Sequence, residues 1–143
     1  MKPVTVTTTI ERSREDVYAV LEDLMNHESF TDHFLTDFQR TETGIRVKGK
    51  GGGGWMEITP VESTPERIVE EGRSGRGGRR HTKGIYELKP QNGSTVVSFT
   101  NEIEPAGVGD RLAAPLIRAY LRKQNGRALE RLKEQLEGRT AAG

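Results

Sequence analysis

The stretch from Val108 to Leu136 most constrains what this chain can fold into. Its apolar residues return every three or four positions at Ala113, Ile117, Leu121, Ala128 and Leu132, with Gln124 in the same row. On a 3.6-residue helix that spacing draws one narrow stripe. Ala114, Tyr120 and Leu136 widen the stripe, while Arg118, Arg122, Glu130 and Lys133 fall opposite. Asp110 suits the positive end of a helix. Pro115 lacks a backbone donor, which is harmless only in a first turn, so the regular helix is expected to begin near Arg111 to Ala114. Gly138 is the expected stop. At about 1.5 Å per residue the helix is roughly 35 to 43 Å long. A one-sided helix of that length needs a broad apolar partner, and the rest of the chain has to supply it.

The rest of the chain reads mostly as strands. Val4, Val6, Thr8 and Ile10 alternate with Thr5, Thr7 and Thr9, a β-branched run of period two. Ser13 then caps a helix, with Asp16 in the reciprocal position of a capping box and Val17, Val20, Leu21 and Leu24 as its buried face. Asn26 to Phe34 reads as a short second helix or turn carrying Phe30 and Phe34. From Leu35 the period returns to two. Strands are expected over Leu35–Thr43, around Ile45 and Val47, and over Trp55–Val61, Arg67–Ser74, His81–Lys89 and Thr95–Glu104. Pro90-Gln91-Asn92-Gly93 is a hairpin turn. Consecutive strands on short links favour an antiparallel meander, hence an α+β fold.

The totals narrow the function classes. A chain of 143 residues fits one domain, expected over 1–138, with 139–143 as a frayed tail. Hydrophobic residues are 32% and charged residues 30%, a thin apolar share that suits a core wrapped around something or a very polar exterior. The net charge of +1 gives no global signal for a polyanion. Without cysteine, thiol chemistry is excluded. No apolar run near Met1 is long enough for a signal peptide and none approaches a membrane span, so the expectation is a cytoplasmic protein without stable membrane insertion.

The order of strand, two short helices, six antiparallel strands and a long helix resembles the helix-grip order of the START-like superfamily. This superfamily includes the Bet v 1 relatives and the bacterial polyketide cyclase/dehydrase and lipid-transport proteins. The opening Ile10-Glu11-Arg12-Ser13-Arg14-Glu15-Asp16-Val17-Tyr18 is similar to the family's strand, polar cap and helix. The run Thr82 to Pro90, followed by Gly93-Ser94-Thr95-Val96-Val97, is similar to its penultimate hairpin. The resemblance implies a seven-stranded curved sheet gripping the long helix, with an apolar cavity between them. It implies binding of lipids, sterols, polyketides, hormones or quinones, and in a minority of members aromatic cyclisation or dehydration. It names no universal catalytic set.

Alternation suggests the lining. Val97, Phe99 and Asn101 share a face of the last strand, Tyr86 and Leu88 a face of the one before, and Met56 and Ile58 a face of an earlier strand. On the long helix Ile117, Tyr120, Leu121 and Gln124 face together. A polar atom on a buried face needs a partner, so Asn101, Tyr86, Tyr120 and Gln124 are the groups expected either to orient a ligand or to bond one another. Glu70 is the one acid that can point inward, where burial would raise its pKa and fit it for general acid–base work. A register slipped by one would put Val69 there instead and leave Glu70 in water. Glu70 and Tyr86 are therefore the catalytic candidates.

Three further motifs are set aside. His27, Glu28, Asp32 and His33 form a ligand-like cluster, but the histidines are six apart, so a polar cavity mouth is preferred to a metal site. The Gly49–Gly54 run lacks the Gly-Lys-Ser/Thr ending of a phosphate loop and reads as a hairpin at the cavity rim. Arg73, Arg76, Arg79 and Arg80 among glycines lack interleaved aromatics, so nucleic acid is not expected, although Arg79 and Arg80 could gate an acidic head group.

The leading expectation is a carrier of a hydrophobic small molecule, with no cofactor, acting as monomer or homodimer. The main alternative is a polyketide cyclase or dehydratase using Glu70, Tyr86 or Asn101. An inward Glu70 or a tyrosine–acid pair would favour chemistry; an all-apolar lining would favour carriage. A third reading is a partner-binding adaptor, which an exposed apolar patch would favour.

Overall fold

The computed structural model describes residues 1–51 and 54–142, and the side chains of all these except residues 76 and 139–142. Gly52 and Gly53 of the glycine-rich run, and Gly143, lie outside the described residues. Seven strands form one antiparallel sheet: β1 (Val4–Ile10), β2 (Leu35–Arg40), β3 (Ile45–Gly49), β4 (Trp55–Ser63), β5 (Arg67–Ser74), β6 (Arg80–Gln91) and β7 (Ser94–Glu104). Their spatial order is β1-β7-β6-β5-β4-β3-β2. The first two strands in sequence are thus the two edges. Between them run α1 (Arg14–Leu21), a 3₁₀ turn (Leu24–His27) and α2 (Glu28–Thr31), which carry the chain from one edge to the other.

Local chemistry fixes the ends of these elements. The Ser13 hydroxyl accepts from the Asp16 amide and caps α1. Asp16 does not close the capping box; its carboxylate instead takes the Arg12 guanidinium at 2.8 Å. The β6–β7 hairpin turns on Asn92 and Gly93, both at positive φ, as a tight turn of this hand requires. β2 ends at Arg40, earlier than expected, and a register shift between Thr36 and Gln39 coincides with positive φ at Asp37. A second shift lies between Pro60 and Glu62 of β4, where Pro60 has no amide to give the ladder.

The long helix comes in two pieces, α3 (Val108–Leu112) and α4 (Ala114–Ala142), broken at Ala113 just before Pro115. Gly138 does not stop α4, whose backbone continues to Ala142. Lys133 donates to the Thr9 carbonyl and Thr8 to Glu130, which hold α4 along the β1 edge. Arg131 ties α4 to α2 through Asp32, the Ser29 carbonyl and Nδ1 of His33.

Two apolar clusters form the interior. One joins Ile10, Val17, Leu21, Phe30, Leu88, Val97, Leu132 and Leu136 beneath α1 and the end of α4. The other joins Leu24, Ile45 and Val47 at the β2–β3 end of the sheet, with Met56 and Ile58 packed against them. A cavity lies where the two clusters fail to close on each other.

Candidate functional site

The cavity occupies about 140 Å³. Three rows of residues in register across β5, β6 and β7 form its floor. Ile68 pairs with Tyr86 and Tyr86 with Phe99 in the first, where Tyr86 and Phe99 reach the cavity and Ile68 belongs to the core beside it. Glu70 pairs with Gly84 and Gly84 with Asn101 in the second, and Gly72, Thr82 and Ile103 form the third. The register therefore turns Glu70 inward, with Ile68 and Gly72, and leaves Glu71 and Arg73 exposed. Val69 is buried too, but period two puts it on the other face.

Gly84 is what admits the carboxylate. A Cβ there would lie 2.9 Å from Glu70 Oε1 and 3.1 Å from Phe99 Cε1. Glycine at this position removes the wall between Glu70 and Asn101. Gly72 works similarly, since a Cβ on it would collide with Thr82 Oγ1. At both glycines the space a Cβ would need is taken by neighbouring side chains, Glu70 and Phe99 at Gly84, and Thr82 and Met56 at Gly72.

Glu70 retains some exposed area as a residue, yet its Oε2 is sealed and meets no hydrogen-bond partner. Burial pushes its pKa from 4.5 to about 7, because a charge loses its hydration there and gains nothing in return. Burial also pushes the Tyr86 phenol well above its ordinary range, and the Glu70 charge adds to the effect. Tyr86 therefore keeps its proton and can donate it in a hydrogen bond. Its ring lies against Phe99 at 4.3 Å and meets His27 edge-on at 5.6 Å.

His27 is buried in the same cavity, and burial lowers its pKa. Its Nε2 lies 2.9 Å from the Leu21 carbonyl, which only accepts, so the neutral ring carries its proton on Nε2. Nδ1 then bears a lone pair. From the roof, Asn125 Nδ2 donates to Asn101 Oδ1. The pair leaves Asn101 Nδ2 and Asn125 Oδ1 as a donor and an acceptor beside each other.

Of the positions expected to line the cavity, Met56, Ile58, Tyr86, Phe99, Asn101 and Leu121 do so. Leu88 and Val97 do not; they sit two pairings further along the strands, in the solid core beside Tyr86 and Phe99. Ile117, Tyr120 and Gln124 also lie outside the lining. The inward side of α4 is rotated from the expected stripe and presents Leu121, Asn125, Ala128 and Leu129. Tyr120 is half exposed, and the Gln124 carbonyl accepts from His33. Asn125 was not anticipated as a cavity group, and His27, expected at a polar cavity mouth, is buried in the lining. Asn125 had a signal in the sequence: it sits four residues from both Leu121 and Leu129, in an apolar row. The burial of His27 had none, because a 3₁₀ turn rather than a regular period swings it inward.

The other motifs resolve differently. Among the described residues no group of three or more acids and histidines is placed to hold a metal. His27 points inward while Asp32 and His33 engage Arg131. Arg80 is not a free gate for an acidic head group. It makes two bonds to Asp110, at 2.9 and 2.7 Å, and ties the start of β6 to α3. That guanidinium, with the Ala106 amide, holds the Asp110 carboxyl down at about 2.

The model of a family described as polyketide cyclase/dehydrase and lipid transport matches residues 1–137. No curated protein matches the chain. Among solved structures, the Zhui aromatase/cyclase from Streptomyces sp. R1128 superimposes with a TM-score of 0.77 at 17% identity, over 99% of this chain and 98% of that one. The di-domain ARO/CYC BexL from the BE-7585A biosynthetic pathway gives 0.75 at 16% identity. That match covers 96% of this chain, which spans about half of BexL, 47% of its length. A protein from Thermus thermophilus gives 0.73 at 16% identity, over 96% and 98% of the two chains. At these identities the structural likenesses establish the helix-grip fold, and the family match extends over nearly the full sequence. The chain belongs to the polyketide cyclase/dehydrase and lipid transport family.

Proposed function

We propose that this protein binds a small, ring-sized apolar molecule bearing a carbonyl group and moves a proton on it with Glu70. Glu70 carries this reading: it faces the cavity, its Oε2 is buried without a hydrogen-bond partner, and the pKa of the carboxyl is raised to about 7. A carrier has no use for such a group, whereas an acid–base catalyst needs one poised near the working pH. A cavity near 140 Å³ suits one aromatic or alicyclic ring, since about 150 Å³ holds benzene.

The chemistry that fits is loss of water from a β-hydroxy ketone. Glu70 as carboxylate takes the proton from the carbon between carbonyl and carbinol. The electron pair passes through the enolate into a new carbon–carbon double bond as the hydroxyl leaves. Glu70 returns its proton to that hydroxyl, so water and an enone form with no net change in the protein. The Tyr86 hydroxyl stays protonated and can donate to the developing enolate oxygen. Apolar burial, at about 25 cal/mol per Å², supplies most of the binding. Pure carriage remains the second reading, favoured by a lining that is carbon apart from a few groups.

The test compares wild type with Glu70→Gln on a cyclic β-hydroxy ketone, following enone absorbance and binding separately. The proposal expects binding within a few-fold and turnover lower by about 10² to 10⁴. Equal turnover in the two proteins would leave carriage as the function.

A further inference from the structure

The segment before the cavity roof leaves large apolar side chains in water. Val108 and Leu112 on α3, and Leu116 and Tyr120 on α4, are spaced four residues apart within each helix and are 72%, 79%, 77% and 50% exposed. Apolar side chains left in water in such a row mark an interaction surface. On α4, Lys123 and Arg127 follow Tyr120 at three and seven residues and so continue the side that Leu116 and Tyr120 begin. Leu121, Asn125 and Leu129 face the other way, into the cavity.

The charge around this row indicates its partner. From Val108 to Arg127 the bases are Arg111, Arg118, Arg122, Lys123 and Arg127, and the one acid is Asp110. Asp110 is already paired with Arg80. Arg118 turns back to the carbonyls of Lys2 and Pro3. Arg111, Arg122, Lys123 and Arg127 are exposed and make no ion pair among the described residues. In a chain whose net charge is only +1, this is a local concentration. A helix face combining an apolar row with free bases has the composition of a segment lying in a lipid interface.

We propose that the outer face of α3 and the first turns of α4 docks on an anionic bilayer surface. Leu112, Leu116 and Tyr120 enter the headgroup boundary, and Lys123 and Arg127 meet the phosphates. The helix adsorbs in the plane and does not cross; among the described residues no helix is long and apolar enough to span a membrane. Docking there sets the cavity roof against a reservoir of apolar molecules. It does not depend on the Glu70 chemistry.

The experiment is co-sedimentation with phosphatidylcholine vesicles, with and without phosphatidylglycerol, together with the solution mass of the protein by light scattering. Wild type is expected to sediment with the anionic vesicles, weakly with the neutral ones, and less as salt rises. Lys123→Gln with Arg127→Gln should weaken binding roughly thirtyfold, at two interfacial charges. Leu116→Ser should abolish it while the helical circular dichroism is kept. Failure of wild type to bind anionic vesicles at low salt would overturn the proposal. So would binding that both variants retain. A dimer that Leu116→Ser converts to monomer would assign the face to a second copy of the chain instead.

Discussion

Glu70 destabilises the fold at neutral pH, and the sign follows from its proton. Between its ordinary value of 4.5 and about 7 the folded chain holds a proton that the unfolded chain releases. Stability therefore falls as pH rises through that window, and the loss is complete above it, at about 3 kcal/mol. Glu70→Gln, which has no proton to lose, should erase this slope. Thermal unfolding near pH 8 should show the variant more stable by up to about 3 kcal/mol, and near pH 4 the two should agree. A variant less stable than wild type at the higher pH would mean that the carboxylate has a partner after all. The inward acid was legible in the sequence only as one of two registers. Choosing between Glu70 and Val69 needed the pairing of β5 with β6, a long-range property that one strand's pattern does not contain. The use of Gly84 in clearing space for the carboxylate appears only when β5, β6 and β7 lie side by side.

Among the elements, α4 divides into a buried half and an exposed one. Leu132 is fully buried against α1 and the strands, whereas Leu116 is 77% exposed. Leu132→Ala should cost about 2 to 5 kcal/mol in urea unfolding, and Leu116→Ala within about 0.5 kcal/mol. Equal costs would show the two halves equally packed. The element order and the β6–β7 hairpin were readable because each rests on local chemistry: alternation, a capping serine, an Asn-Gly turn. The phase of the long helix was readable only in part. Leu121, Ala128, Leu132 and Leu136 of the expected stripe do pack inward, but Ile117, Tyr120 and Gln124 lie outside the cavity lining, the helix breaks at Ala113, and Asn125 and Leu129 join the packed side. Alanines and glutamine carry little phase information, and an asparagine in an apolar row reads at first as an exception. Gly138 failed as a stop because glycine permits a helix end without requiring one.

At the scale of the molecule, the sheet and α4 hold two apolar clusters slightly apart, and the gap becomes the site. The thin apolar share of the sequence suits a core wrapped around something and a very polar exterior alike, and it carries nothing of the cavity's size, which depends on how Met56, Phe99 and Leu121 pack around the two glycines. The same roof helix closes the cavity on one side and offers its exposed apolar row to an outside surface on the other. The central claim is that this fold keeps a carboxyl in the cavity poised to gain or lose a proton near neutrality. The most direct measurement is a carboxyl-carbon NMR titration of Glu70 in the intact protein. The expected midpoint is about 7, and a midpoint near the ordinary 4.5 would show that the cavity leaves the carboxyl unperturbed.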